Sequence, residues 1–169
     1  IFSTFLVNSE IRKKIKKIKK IGKCLDKIKQ TNIINKLKFH LTKDQKKTLE
    51  EINKDLSSTN KMFRLLQGDV GSGKTIVSLI AAYNTVNSGF QVAVMAPTEI
   101  LAKQHFNFAK KLFPEQINIE LISGKSEYKS KKNILNKLVN NKIDIIFGTH
   151  AIFQKKVNFK NLGLIIIDE

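Results

Sequence analysis

One eight-residue stretch limits the fold of this chain more than any other feature. Residues 68–75 read Gly-Asp-Val-Gly-Ser-Gly-Lys-Thr, with an apolar run at 63–67 before them and a helical pattern at 75–86 after them. Glycines let successive backbone N–H groups face one point, and a helix N-terminus adds the positive end of its dipole. The pattern therefore predicts a phosphate-binding loop between a buried strand and a helix.

The residue types in this stretch suggest specific roles in nucleotide binding. Lys74 would neutralise the β and γ phosphate oxygens, and the hydroxyl of Thr75 would ligate Mg²⁺. The backbone of the whole loop is expected to surround the phosphates. The predicted nucleotide-binding residues are Gly68, Asp69, Val70, Gly71, Ser72, Gly73, Lys74 and Thr75.

A second motif complements the loop. The apolar run at 164–167 is followed by Asp168 and Glu169, which a parallel strand would carry to the carboxyl edge of its sheet, beside the loop. Asp168 would hold the metal through its water shell, and Glu169 would orient and polarise the attacking water. Together the two motifs predict hydrolysis of ATP or GTP.

The rest of the chain alternates apolar runs with helical periodicity. Strands are expected at 63–67, 91–95, 117–122, 144–147 and 164–167. Helices are expected after an N-cap at Thr42 as far as residue 55, and at 75–86, 100–112 and 129–139. Strands that are apolar on both faces and separated by helices indicate an α/β fold, with a mostly parallel sheet covered by helices on both faces.

The charge is concentrated near the N-terminus. The chain carries a formal net charge of +17, and residues 11–29 hold nine of those charges. The codon bias of an AT-rich genome raises the lysine content and would explain part of the net charge. A polyanionic partner such as nucleic acid would explain another part of the net charge. Isoleucines and one leucine recur at steps of three and four from residue 11 to residue 28, which predicts a basic amphipathic helix. Three interpretations stay open: a connector packed on a neighbouring domain, a helix that follows nucleic-acid phosphates, or a membrane-surface helix.

Several classes of protein are excluded by composition. The single cysteine, Cys24, rules out an internal disulfide and favours a reducing, cytoplasmic setting. No window approaches the roughly 20 apolar residues of a membrane span, and the N-terminal run lacks the flanks of a signal peptide. Because the chain starts at Ile1 and stops at Glu169 directly after an apolar run, we expect it to be a piece of a longer protein.

Further motifs resemble a known family. Residues 96–102 (Ala-Pro-Thr-Glu-Ile-Leu-Ala), 148–151 (Gly-Thr-His-Ala) and the final acidic pair, following the loop, resemble the motifs of superfamily 2 helicases. The resemblance is closest to the RecG type, ATP-dependent helicases that remodel branched DNA, and it covers residues 39–169. It implies a RecA-like P-loop NTPase domain at 39–169, the first motor lobe, that uses ATP and Mg²⁺. Residues 1–38 would be a basic connector that ends a wedge domain.

The resemblance also implies binding roles outside the loop. Phe39 and Gln45 would recognise adenine, since a glutamine amide can pair with N6 and N7 together; a surface glutamine on a helix is the alternative. Thr98, Thr149 and Gly124 would contact DNA phosphates, which position a strand without reading its sequence. Without the loop, the two threonines would be read as ordinary turn and cap residues.

Three functional hypotheses follow. The favoured one is the first motor lobe of a helicase for branched DNA such as replication forks and recombination junctions, acting in repair and recombination on single and double strands. A transcription-repair coupling translocase is the second, although Ser72 stands where that group usually has a bulky aromatic residue. The third is a non-catalytic module that binds nucleotide and DNA. For the first, the second RecA-like lobe with its arginine finger and the wedge domain are expected as partners, so the fragment alone should be nearly inactive.

Overall fold

The computed structural model describes residues 19–123, 128–154 and 157–168. Nine regular elements and one short 3-10 helix follow one another along this part of the chain. In order they are α1 (Lys27–Asn35), α2 (Lys43–Ser57), α3 (Lys74–Asn87), β1 (Gln91–Met95), α4 (Glu99–Leu112), β2 (Ile119–Ile122), α5 (Tyr128–Val139), β3 (Ile145–Gly148), the 3-10 helix (His150–Phe153) and β4 (Leu162–Ile167).

The four strands form one parallel sheet in the order β2-β3-β1-β4. In β1, Met95 is level with Gly148 of β3 and with Ile167 of β4. The carboxyl ends of these three neighbouring strands therefore meet at one edge of the sheet, which we call the carboxyl edge. The opposite end is the amino edge.

Both faces of the sheet are covered, as the sequence predicted. Val92 and Val94 of β1 belong to a core that also contains buried residues of α2, α3 and α4. Ala93 points the other way, into a smaller core with Ile134 and Leu138 of α5. This alternation is the period of two along a strand, and apolar residues at both parities require cover on both sides. The α/β fold class is confirmed.

Helix caps explain why several predicted boundaries agree with the structure. Thr42 accepts a hydrogen bond from the Gln45 backbone N–H, while the Gln45 side chain accepts one from the Thr42 N–H, which completes a capping box at the start of α2. Thr98 caps α4 by accepting from the Leu101 N–H at 3.2 Å. The predicted helix over 75–86 is one residue shorter than the observed one at both ends, and those over 100–112 and 129–139 are one residue shorter at the start.

The predicted strand at 63–67 is wrong. None of the four described strands pairs with it, and Leu65 is 85% exposed. Arg64 instead ties the segment to α2 through ion pairs of 2.8 Å with both Glu51 and Asp55, and the hydrogen bond to Asp55 raises the pKa of Arg64. Apolar alternation indicates which side chains favour burial, but a strand also needs a neighbour to receive its backbone hydrogen bonds.

The predicted basic amphipathic helix is also wrong where the structure describes it. Residues 19–26 form no helix, and the helix begins only at Lys27, behind the N-cap Asp26. Ile21, which the periodicity assigned to the buried stripe, is 76% exposed. Residues 11–18 of the prediction lie outside the described part of the chain.

Backbone contacts explain why residues 19–26 are not helical. The Lys20 N–H donates to Thr59 O at 2.7 Å, and the Lys23 N–H donates to Leu56 O at 3.1 Å. A Cβ on Gly22 would come within 2.4 Å of the Ser57 carbonyl oxygen, so only glycine fits there. The end of α2 thus supplies hydrogen bonds that a helix over these residues would have to give up.

Helix α1 is fastened to the domain by a cluster of amides. The Asn84 side chain of α3 donates to Gln30 of α1 at 2.6 Å and to Asn53 of α2 at 2.9 Å, and Asn53 donates to Gln30 at 2.7 Å. Ile33 of α1 is fully buried in the larger core. Part of the predicted connector therefore packs against α2 and α3 as an integral part of the fold.

Candidate nucleotide and metal site

The glycine-rich loop is an exposed turn that leads directly into α3. The Ser72 N–H donates to Asp69 O at 3.1 Å, and Gly71 and Gly73 have φ angles of 78° and 82°. Those positive angles are strained for residues with a Cβ. Gly73 is the N-cap of α3 and has no side chain to cap it, so the first N–H groups of the helix can serve an anion.

Lys74 lies across this loop. Its Nζ donates to Gly68 O at 2.7 Å and to Asp69 O at 2.9 Å. The ammonium group is therefore held at the loop by two carbonyl oxygens that carry no full charge. Phosphate oxygens would be stronger partners for the same group because they add the attraction of a full negative charge.

Gln45 reaches the loop from α2. Its Nε2 donates to Ser72 O at 2.8 Å, while its Oε1 is engaged in the capping box. A Cβ on Gly73 would lie 2.4 Å from Gln45 Nε2, the end of a flexible side chain that could shift, so it is the φ angle of 82° that favours glycine here. The structure brings Gln45 to the loop, whereas Phe39, the other predicted adenine contact, is a half-exposed ring before α2.

Topology carries the acidic motif to the same edge of the sheet as the loop. The Asp168 N–H donates to Met95 O at 2.9 Å, so Asp168 continues β4 just past the carboxyl edge. Only three residues, 88–90, separate α3 from β1, and α3 packs on both β1 and β4. Helix α3 must therefore run antiparallel to these strands, with its N-terminus and the loop at the carboxyl edge.

One partner of the acidic motif was not predicted. His105 Nε2 lies 2.7 Å from Asp168 Oδ2, and the histidine side chain is 13% exposed against 32% for the aspartate. No role was predicted for His105, which lies three residues beyond the motif at 96–102. A useful signal was available: His105 follows Thr98 by seven residues, which is two helical turns and the same face of α4.

The predicted DNA contacts divide into described and undescribed residues. Thr98 lies between β1 and α4, and Thr149 lies between β3 and the 3-10 helix, so both are at the carboxyl edge. The Ala96 N–H donates to Gly148 O at 2.9 Å, which holds these two loops side by side. Gly124 and Glu169 lie outside the described residues.

Within residues 19–123, 128–154 and 157–168, no group of three or more histidine, cysteine, aspartate or glutamate side chains is arranged to hold a metal ion. No helix in that part of the chain combines the length and apolar character needed to cross a bilayer.

Comparison with known proteins adds the family. The sequence profile described as DEAD/DEAH box helicase matches residues 42–169. The chain belongs to the DEAD/DEAH box helicase family. The predicted resemblance to superfamily 2 helicases is confirmed, and the matched region contains the glycine-rich loop, both threonine loops and the acidic motif.

Relatives within this helicase family are of the RecG type. The chain is 46% identical over 145 residues to the ATP-dependent DNA helicase RecG of Staphylococcus aureus (strain Mu50 / ATCC 700699), covering 86% of this chain and 21% of that protein. It is 49% identical over 137 residues to RecG of Aquifex aeolicus (strain VF5), covering 80% of this chain and 17% of the relative. The chain thus spans about a fifth of the length of these curated relatives.

Solved structures agree with the sequence comparison. A structure of RecG bound to a three-way DNA junction superimposes with a TM-score of 0.89 at 43% identity, over 95% of this chain and 22% of that one. The UvsW helicase from bacteriophage T4 matches with a TM-score of 0.58 at 20% identity, over 88% of this chain and 52% of that one. The second likeness supports the fold alone, and the first supports the predicted resemblance to RecG-type helicases.

Proposed function

We propose that this chain is the ATP-binding motor lobe of a cytoplasmic, ATP-dependent DNA helicase that acts on branched DNA such as forks and recombination junctions. The observation that carries the proposal is the meeting of the glycine-rich loop and Asp168 at one edge of a sheet whose sequence is 46–49% identical to RecG helicases. The domain division into a connector at 1–38 and a motor lobe at 39–169 is part of the same proposal.

The donor set fits a magnesium nucleotide. Mg²⁺ prefers hard oxygen ligands and is usually held through one or two carboxylates together with substrate phosphates and water. Asp168 offers a carboxylate and Thr75 a hydroxyl, and this small donor set agrees with the lack of a larger acidic cluster in the described residues. When bound, the ion would neutralise charge on the phosphates during transfer.

The residues of this chain would then have separate roles in binding nucleotide, metal and DNA. The backbone of residues 68–75 and the Lys74 ammonium bind and orient the phosphates, while Gln45, with Phe39 near it in sequence, recognises the base. Asp168 would hold the metal ion, and Glu169 would orient the attacking water as a base or polarising group. Thr98, Thr149 and Gly124 contact DNA phosphates without reading bases.

A second RecA-like lobe and a wedge domain are expected to form the complete helicase together with this lobe. An arginine finger from another lobe is worth roughly 10³–10⁵-fold in turnover in related phosphoryl-transfer enzymes. Strand separation is expected to use the wedge domain as well as this lobe. We therefore expect ATP turnover on forked DNA from the full-length protein and little from residues 1–169 alone.

The decisive experiment compares ATP turnover of the full-length protein with and without forked DNA. Stimulation by forked DNA supports the helicase, whereas tight binding of nucleotide and DNA without turnover supports a binding module. A transcription-repair coupling translocase would instead be stimulated equally by linear duplex. Ser72 favours the branched-DNA helicase over that translocase.

A further inference from the structure

The His105–Asp168 contact joins two elements that are far apart in sequence. Oδ2 of Asp168 lies 2.7 Å from Nε2 of His105, at the distance of a short charge-assisted hydrogen bond. His105 is the more buried of the two partners. The aspartate is therefore the more accessible end of the contact, and the histidine is the more enclosed end.

Helix α4 explains why the histidine is fixed. Thr98 caps its first turn, and Ala109 and Leu112 are buried in the larger core near its last turn. Phe106, the next residue after His105, packs edge-on against Phe147 of β3 with ring centroids 6.2 Å apart. These contacts set the rotation of the helix, and that rotation directs His105 towards the end of β4.

We infer that His105 is a positioning residue for Asp168, the carboxylate that the proposed function assigns to the metal. The ring donates from Nε2–H to Oδ2 and holds the carboxylate in one orientation, which leaves Oδ1 for Mg²⁺ or its water. This inference rests on the proposed function. Groups that orient a metal's carboxylate or imidazole ligands typically contribute 10–100-fold in metal affinity or activity when they are removed.

The chemistry of the pair distinguishes positioning from simple packing. A buried residue that only fills space would change the stability of the domain and leave the metal requirement unchanged. A residue that orients Asp168 changes the Mg²⁺ concentration needed for nucleotide binding, and a different side chain with an N–H donor at similar reach can replace it. Glutamine is such a side chain, because its amide donates without a change of charge.

The test uses the full-length protein and three variants: His105→Ala, His105→Gln and, as a control on the same helix, Gln104→Ala at an exposed position. Binding of a fluorescent ATP analogue is measured as a function of Mg²⁺ concentration, alongside Mn²⁺ binding by electron paramagnetic resonance and the thermal unfolding midpoint. We expect His105→Ala to raise the half-saturating Mg²⁺ concentration by about 10–100-fold. We expect His105→Gln to recover most of that loss and Gln104→Ala to resemble the wild type.

The outcomes separate this inference from the function on which it rests. If the wild type binds the analogue with Mg²⁺ and both His105 variants keep its Mg²⁺ dependence, the positioning role is wrong and the proposed function stands. If the wild type shows no Mg²⁺-dependent binding at all, the proposed function fails and the inference fails with it. Should His105→Ala not fold, His105→Leu takes its place, because it fills similar space without an N–H donor. A raised Mg²⁺ requirement in His105→Leu supports the positioning role, and an Mg²⁺ requirement equal to that of the wild type overturns it.

Discussion

The two edges of the sheet use polar side chains in opposite ways. At the amino edge, Gln91 is 1% exposed and makes four hydrogen bonds to backbone groups, all within the protein. At the carboxyl edge, Gln45 and Lys74 are partly exposed and hydrogen-bond to carbonyl oxygens of the glycine-rich loop. The hydrogen bonds of Gln91 hold segments of the core together. Those of Gln45 and Lys74 hold a loop whose carbonyl partners a ligand can replace.

This difference separates stability from function within one fold. Gln91 accepts from the Lys160 and Asn161 N–H groups and donates to carbonyls at the end of α5 and just before β3, so its loss would leave buried groups unpaired. The loop at the other edge leaves the N–H groups of its helix start without a side-chain cap. Substitutions at the amino edge should therefore change the free energy of unfolding, and those at the carboxyl edge should change ligand binding.

The largest effect is expected at Lys74. Lys74→Ala removes the ammonium that spans the loop, so ATP turnover by the full-length protein should fall by about 100-fold or more, the size seen when one preorganised charge-stabilising donor is lost. Its thermal unfolding midpoint should stay close to the wild-type value because Lys74 bonds only to exposed loop carbonyls. Steady-state turnover on forked DNA measures the effect.

A lysine at the opposite edge provides the control. Lys142 is exposed near the start of β3, and Lys142→Ala should leave turnover unchanged. Equal losses in the two variants would mean that overall positive charge, rather than the loop, supports activity, and the contrast between the edges would then be lost.

The second prediction concerns Gln91. Gln91→Leu keeps the volume but leaves buried backbone donors and acceptors without a partner, each at roughly 1–3 kcal/mol. We expect the free energy of unfolding to fall by about 3 kcal/mol or more. Urea unfolding followed by circular dichroism measures this, and Gln45→Leu is the matched substitution at the carboxyl edge, with an expected loss of about 1 kcal/mol. A loss as large at Gln45 as at Gln91 would contradict the comparison.

The sequence predicted the paired part of the fold well. The strand at 91–95 and the cap at Thr42 agree with the structure because apolar runs and capping boxes are local signals. The segments at 63–67 and 19–26 were mispredicted for one shared reason. Their conformation depends on which backbone groups receive their hydrogen bonds, and periodicity does not carry that information.

The candidate site was likewise predictable where the signal is local and not where it depends on long-range contacts. The glycine-rich loop and the acidic motif could be read from spacing, since each is contiguous in sequence. His105 could not be assigned a role, because its partner lies 63 residues away and the contact depends on how α4 is rotated against β3. The buried role of Gln91 was missed because a glutamine at a strand start is usually an exposed residue.

The third prediction uses Lys23, which lies at the amino edge with its Nζ 4.9 Å from the centre of the Phe90 ring. Burial, and then the nearby charge of Lys20, lowers the pKa of Lys23 from 10.5 to about 8. Between these two values the unfolded chain binds more protons than the folded one, so stability should rise as the pH rises from about 8 to 10.5.

Replacing Lys23 tests this linkage. Lys23→Met removes the buried amine, so the part of the pH dependence between pH 8 and pH 10.5 that belongs to Lys23 should disappear. Urea unfolding across that range measures it, with Lys142→Met as an exposed control that keeps the wild-type slope. An unchanged slope in Lys23→Met would mean that this amine stays hydrated in the folded chain.

A small effect on stability is expected at Gln45, where a cap and a loop contact share one amide. Gln45→Leu should lower the free energy of unfolding by about 1 kcal/mol through loss of the capping box. It should also weaken ATP relative to GTP, because the proposed adenine contact uses the same amide. Thr42→Ala removes the cap with a similar cost and keeps the Gln45 side chain, so its preference for ATP over GTP should equal that of the wild type. Competition binding of ATP and GTP to the full-length protein measures the preference. If both variants changed it equally, Gln45 would act at the carboxyl edge only by fixing the start of α2, as Gln91 fixes its own segments at the amino edge.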